Sequence, residues 1–127
     1  MYTETTHGIE ITVQPFYVPE QSDPDDDYYL FAYTVTIRNA AAVPVQLVSR
    51  HWIITDGKAQ VEEVRGDGVV GKQPFLQPGE GFEYTSACPL RTPTGNMRGS
   101  YQMAGEGGRT FEVRIPLFFL RHPDTFH

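Results

Sequence analysis

Tyr29-Leu30-Phe31-Ala32-Tyr33-Thr34-Val35-Thr36-Ile37-Arg38 is the stretch that decides the fold. Tyr29, Phe31, Tyr33, Val35 and Ile37 share one parity, and Leu30, Ala32, Thr34, Thr36 and Arg38 share the other. Successive side chains on a strand point to opposite faces, so the pattern predicts a strand with one buried face. The same period recurs on both sides of it. Ile9, Ile11 and Val13 alternate with Glu10, Thr12 and Gln14. Phe82, Tyr84, Ser86 and Cys88 alternate with Glu83, Thr85 and Ala87. Met97, Gly99, Tyr101 and Met103 form another set, and Phe111, Val113, Ile115 and Leu117 a further one. Residues 45–55 are strand-like, but their phase slips between Leu47 and Trp52, which predicts a bulge or a strand covered on both faces. Residues 61–64 supply a short seventh strand. Pro15 and Pro116 lack the N–H a ladder needs, placing the first and last of these strands at edges or bulges.

Turns rich in Gly, Pro, Asp and Asn separate the strands, at residues 22–27, 56–57, 77–81, 92–96 and 105–108. About seven short strands with such punctuation predict an all-β, two-sheet sandwich of the immunoglobulin or fibronectin type III kind, with a closed barrel as the structural alternative. The 127 residues suit one domain over residues 1–127. Hydrophobic residues at 39% and aromatics at 13% are enough for a packed core.

Charge and cysteine content narrow the function classes. A formal net charge of −6 argues against a duplex-binding face, which needs basic residues to displace counterions. No apolar run approaches the length of a membrane span. Cys88, the single cysteine, makes neither an internal disulfide nor a cysteine-based zinc site. With a polar N-terminus, these features predict a cytoplasmic protein without nucleic-acid or membrane partners.

Residues 65–74, Arg65-Gly66-Asp67-Gly68-Val69-Val70-Gly71-Lys72-Gln73-Pro74, carry the strongest motif letters. Gly66, Gly68 and Gly71 spell G-x-G-x-x-G, and Gly66, Gly71 and Lys72 approach a P-loop. Both motifs work by aiming a helix N-terminus at phosphate. Pro74 and Pro78-Gly79 leave no room for that helix, and Gln73 stands where a P-loop has Ser or Thr. What survives is an anion-holding loop of backbone amides flanked by Arg65 and Lys72, set against a simple glycine connection between strands. Residues Arg65, Gly66, Gly68, Gly71 and Lys72 are the candidate binding set, with a phosphate- or pyrophosphate-type anion as ligand.

Other clusters read as structure. Asp23, Asp25, Asp26 and Asp27 surround Pro24 without Ca-loop spacing and predict a solvated turn. His7, His51, His122 and His127 have no metal-ligand spacing. Cys88 sits in an alternating strand, as a small inert core residue would. No catalytic residues or metal ligands are assigned. Leu117-Phe118-Phe119-Leu120 breaks alternation, predicting either core packing or an edge strip for another chain.

Several segments together closely resemble the ApaG family: His51-Trp52-Ile53-Ile54-Thr55-Asp56, residues 64–74, Leu76-Gln77-Pro78-Gly79-Glu80, Phe82-Glu83-Tyr84-Thr85-Ser86, Leu90, Thr92-Pro93-Thr94-Gly95 and Met97-Arg98-Gly99-Ser100-Tyr101-Gln102-Met103. The likeness keeps order and spacing over nearly the whole chain. It implies a fibronectin type III-like sandwich, a link to magnesium and cobalt handling or to dinucleoside polyphosphate metabolism, and protein-interaction modules among related eukaryotic domains. It also implies pyrophosphate binding at Gly66, Gly68 and Gly71. The expectation that follows is a non-enzymatic interaction or regulatory module with a protein partner, or a homodimer through an edge strand or the C-terminal strip. A phosphate-type anion binder using residues 66–71 is the alternative.

Overall fold

Each alternating stretch forms a strand in the computed structural model, which describes residues 1–125. The strands are β1 (Tyr2–Thr6), β2 (Ile9–Tyr17), β3 (Tyr29–Asn39), β4 (Val45–Asp56), β5 (Val61–Asp67), β6 (Phe75–Leu76), β7 (Gly81–Leu90), β8 (Thr94–Ala104) and β9 (Thr110–Arg121). Seven coincide with the sequence pattern. The other two, β1 and β6, are short, at five and two residues. His127 lies outside the described residues.

Two antiparallel sheets stack face to face, in strand orders β1-β2-β3-β7 and β5-β4-β8-β9, with β6 added to the end of β4. The orders are consistent with the fibronectin type III-like sandwich expected. No helix among the described residues is long and apolar enough to cross a membrane.

The core lies between the sheets. Ile9, Ile11, Val13, Phe31, Val35 and Ile37 from one face meet Leu47, Trp52, Met97, Tyr101, Met103, Val113, Ile115 and Phe118 from the other. Trp52 packs edge-on to Tyr33 and Phe118, an arrangement that aromatic quadrupoles favour.

The irregularities fall where the sequence places them. In β4, Leu47 pairs Met103 and Ser49 pairs Gln102, so Val48 is an extra residue. The bulge switches parity, and Arg50, Trp52 and Ile54 turn to the inner side, where Ser49 and His51 would otherwise stand. In β9 the register shifts opposite Met97 and Gly99, at Pro116. This second bulge corrects the sequence reading of the last strand. Leu117 does not continue the face of Val113 and Ile115. It is exposed, as is Phe119, while Phe118 and Leu120 are buried. The broken run is thus two core residues and two surface residues. Pro15 lies beyond the end of β1, where β2 is paired with β3 alone. The acidic turn forms one 3-10 turn, Pro24–Asp26, with exposed aspartates, ending on Asp27 in the left-handed region.

The two long sides of the sandwich differ. On one, β1 and β2 pack against β9. There the backbone N–H of Arg114 donates to Thr6 Oγ1, Arg114 Nε stands 3.4 Å from Glu4 Oε2, and the Tyr2 ring rests near Phe118. On the other side, β5 and β7 are edge strands, and a cavity of about 420 Å3 lies between them.

Candidate functional site

The glycine loop is a tight hairpin. Val70 and Gly71 both have positive φ, 44° and 78°, and the Lys72 N–H donates to the Val69 carbonyl at 2.9 Å. This is a two-residue turn of the I′ kind, whose twist matches the flanking strands. The Val69 N–H donates back to Lys72, and the Gly68 N–H donates to Val48. Three amides of the supposed anion cradle are therefore engaged within the protein. Among residues 68–72, the amides of Val70 and Gly71 at the turn tip donate to no backbone carbonyl.

The five predicted site residues do not share one surface. Gly66 faces inward beneath the Arg50 guanidinium. Arg65 lies 3.8 Å from Glu63 on an outer trough lined by Ser49, His51, Ser100, Gln102 and Glu112, which Arg50 and Gly66 also border. His51 Nε2 lies 2.8 Å from Glu63 Oε1 on that same face. Lys72 is exposed and lines neither the trough nor the inner cavity.

The sequence reading did not single out Arg50, yet this residue organises the region. Its Nη1 donates to the carbonyls of Asp67 and Gly68, each at 2.9 Å, tying β4 to the loop. The bulge at Val48 is what brings this half-buried side chain to the inner face. There it lines the 420 Å3 cleft with Tyr33, Trp52, Val64, Ser86 and Met97. The ion pairs among the described residues do not include Arg50. Below it, the hydroxyls of Tyr84 and Tyr101 share a short hydrogen bond. Burial raises the pKa of Tyr33, Tyr84 and Tyr101, and the Arg50 charge opposes that rise in all three.

Cys88 also lines the cleft, and its thiol is pushed up to about 12, chiefly by burial and then by the charge of Glu62. A thiol so raised is protonated at neutral pH and is a poor nucleophile. His7 packs against Phe111, and His122 against Tyr17 and Tyr29. Among the described residues no three His, Cys, Asp or Glu side chains gather as a metal site.

Comparison with known proteins places this geometry. The family model for the ApaG domain matches residues 19–105, a span that includes the bulged β4, the hairpin and both edges of the cleft. The chain belongs to the ApaG family. Protein ApaG of Dechloromonas aromatica is 60% identical over 121 residues, covering 95% of each chain. Protein ApaG of Agrobacterium fabrum is 55% identical, covering 97% of this chain and 95% of its own. A crystal structure from Bordetella pertussis, described as an ApaA protein, superimposes with a TM-score of 0.88 at 57% identity, over 96% of both chains. The family likeness read from the sequence is thereby confirmed. The ApaG name itself specifies no reaction.

Proposed function

We propose that this ApaG-family chain is a non-catalytic recognition module that takes an extended segment of another protein along the free edge of β7. One observation carries the reading: the sandwich is sealed by β1, β2 and β9 on one side and open between β5 and β7 on the other. An edge strand presents unpaired N–H and C=O groups that an incoming strand can pair with, while pockets beside it read side chains. β7 offers ten residues, with Pro89 only near its end. β5 is shorter, and Glu62, Glu63 and Arg65 discourage pairing there. The raised thiol of Cys88 and the scattered histidines support a binding role over a catalytic one.

The test is photo-crosslinking in cells, with the reactive residue placed at Thr85 or Ala87 on β7 and, as control, at Thr12 on β2. Discrete adducts from the β7 positions alone support strand addition. Equal adducts from both strands, or none, count against it.

A second reading keeps the hairpin as an anion site, built on the tip amides of Val70 and Gly71 beside Lys72. Its test is an amide NMR titration with pyrophosphate, with and without magnesium. Saturable shifts confined to these amides would support it, and shifts scattered over every basic residue would not.

A further inference from the structure

We propose that the cleft between β5 and β7 binds a monocarboxylate carried on an apolar body, with Arg50 as its anchor. The inference rests on the reading of the open side as the recognition face only for where the ligand enters. Nothing in it requires strand addition.

The anchor is built and its charge is unanswered. The Arg50 guanidinium lies against Gly66, where a Cβ would stand 2.8 Å from Nη2 and 2.9 Å from Cζ. Only a glycine on the neighbouring strand lets the group lie so close. Nη1 makes both of the side chain's hydrogen bonds, to the Asp67 and Gly68 carbonyls, which fixes the plane of the fork. The hydrogens on Nη2 and Nε meet no acceptor among the described residues, and no carboxylate there pairs with the group. A half-buried guanidinium held in plane is suited to an oxyanion, which it can grip through two parallel bonds.

The walls select what the oxyanion is attached to. Trp52, Val64, Val69 and Met97 give an apolar lining, and Tyr33 and Ser86 add hydroxyls. The volume of about 420 Å3 falls in the range of small-ligand sites.

Counting charge selects the class of oxyanion. Arg50 is the single cation among the lining residues, and Glu62 is the single carboxylate. Glu62 pairs across from Ile54, four residues along β5 from Gly66, which Arg50 faces. At about 3.3 Å per residue that puts the two backbone positions on the order of 13 Å apart along the strand. A polyphosphate would find one positive group and then meet Glu62. One negative charge with an uncharged body matches both ends. A free small acid and a glutamate side chain on a partner segment have this same chemistry.

Trp52 is the only tryptophan and lines the cleft, so its fluorescence reports directly. The probes are phenylacetate, its neutral counterpart phenylacetamide, inorganic pyrophosphate, and a blocked hexapeptide with a central Glu beside its Gln version. The expected result is a saturable change with phenylacetate or the Glu peptide, at least about tenfold weaker with the neutral partner and with pyrophosphate. The responding arm names the source. Arg50→Gln abolishes the response, and Arg50→Lys, which keeps the charge but loses the planar fork, weakens it severalfold. If Arg50→Gln unfolds, the Arg50→Lys comparison still decides. No saturable response to either acid, equal binding of the neutral partners, or undiminished binding by Arg50→Lys overturns the proposal. Crosslinks from β7 that persist while both acids fail to bind would leave strand addition standing and remove the carboxylate.

Discussion

The guanidinium of Arg50 rests on Gly66, its cross-strand neighbour, while Gly68 two residues on is closed in by the Lys72 carbonyl. The two glycines are therefore constrained by different things. A Cβ on Gly66 meets the end of a flexible side chain. A Cβ on Gly68 would stand 2.3 Å from backbone oxygen, at a φ of +62°. Gly66→Ala is expected to cost under about 1 kcal/mol while displacing Arg50. Gly68→Ala is expected to cost about 3 kcal/mol and to disorder the hairpin. Urea denaturation of both variants checks the contrast.

Val70 occupies the first central position of the hairpin turn with φ 44°, a conformation that strains a β-branched residue. Asn is favoured there. Val70→Asn is expected to raise stability by about 1 kcal/mol. A lower midpoint of thermal unfolding would show that the exposed valine side chain contributes something the turn geometry does not reveal.

Asn39 is fully buried and all its polar atoms are used. Its Nδ2 donates to the carbonyls of Val43 and Leu76, and its Oδ1 accepts from the Ala41 N–H. It thereby fixes the β3–β4 connection and pulls β6 onto the sheet. Asn39→Ala removes these three hydrogen bonds and is expected to cost about 2–4 kcal/mol. Loss of hydrogen-exchange protection at Ala41, ahead of global unfolding, is the local signature to look for.

Alkaline pH is expected to weaken the fold. The Cys88 thiol is raised from 9.0 to about 12, and the hydroxyls of Tyr33, Tyr84 and Tyr101 are raised from 10.0, burial being the first cause in each. The folded chain then keeps protons that the unfolded chain gives up. Stability from these groups is intact below pH 9.0 and falls as pH climbs from there toward 12. Urea midpoints measured from pH 7 to pH 11 should decline at the upper end, and Cys88→Ala should soften the decline. A flat profile would mean these groups are not shielded as their burial requires.

Much of this was legible in the sequence, for a physical reason. Alternation reports burial on one face, so Phe31 to Ile37 and Tyr84 to Cys88 announced their strands. β1 and β6 carry no legible period because Tyr2–Thr6 is mostly polar and Phe75–Leu76 is only two residues long, both being held by pairing. The glycine loop was legible as a turn, though its engaged amides depend on Val48 and Lys72, which no letter pattern connects. Arg50 had a signal that went unread. The phase slip before Trp52 implies that residues sharing the parity of Trp52 face inward, and Arg50 is one of them. Leu117 went to the wrong face because a bulge at Pro116 was foreseen without carrying its change of parity forward.

The sealed side of the sandwich has a consequence for how the molecule is made. Thr6 is bonded to Arg114, and Tyr2 lies near Phe118, so the first strand is secured by the last. Contacts this distant in the chain form late and slow a fold's completion. β9 is the last of the nine described strands to be synthesised. Until β9 is made, β1 and β2 carry an apolar face with no cover on that flank, the kind of surface that mispairs with neighbouring chains.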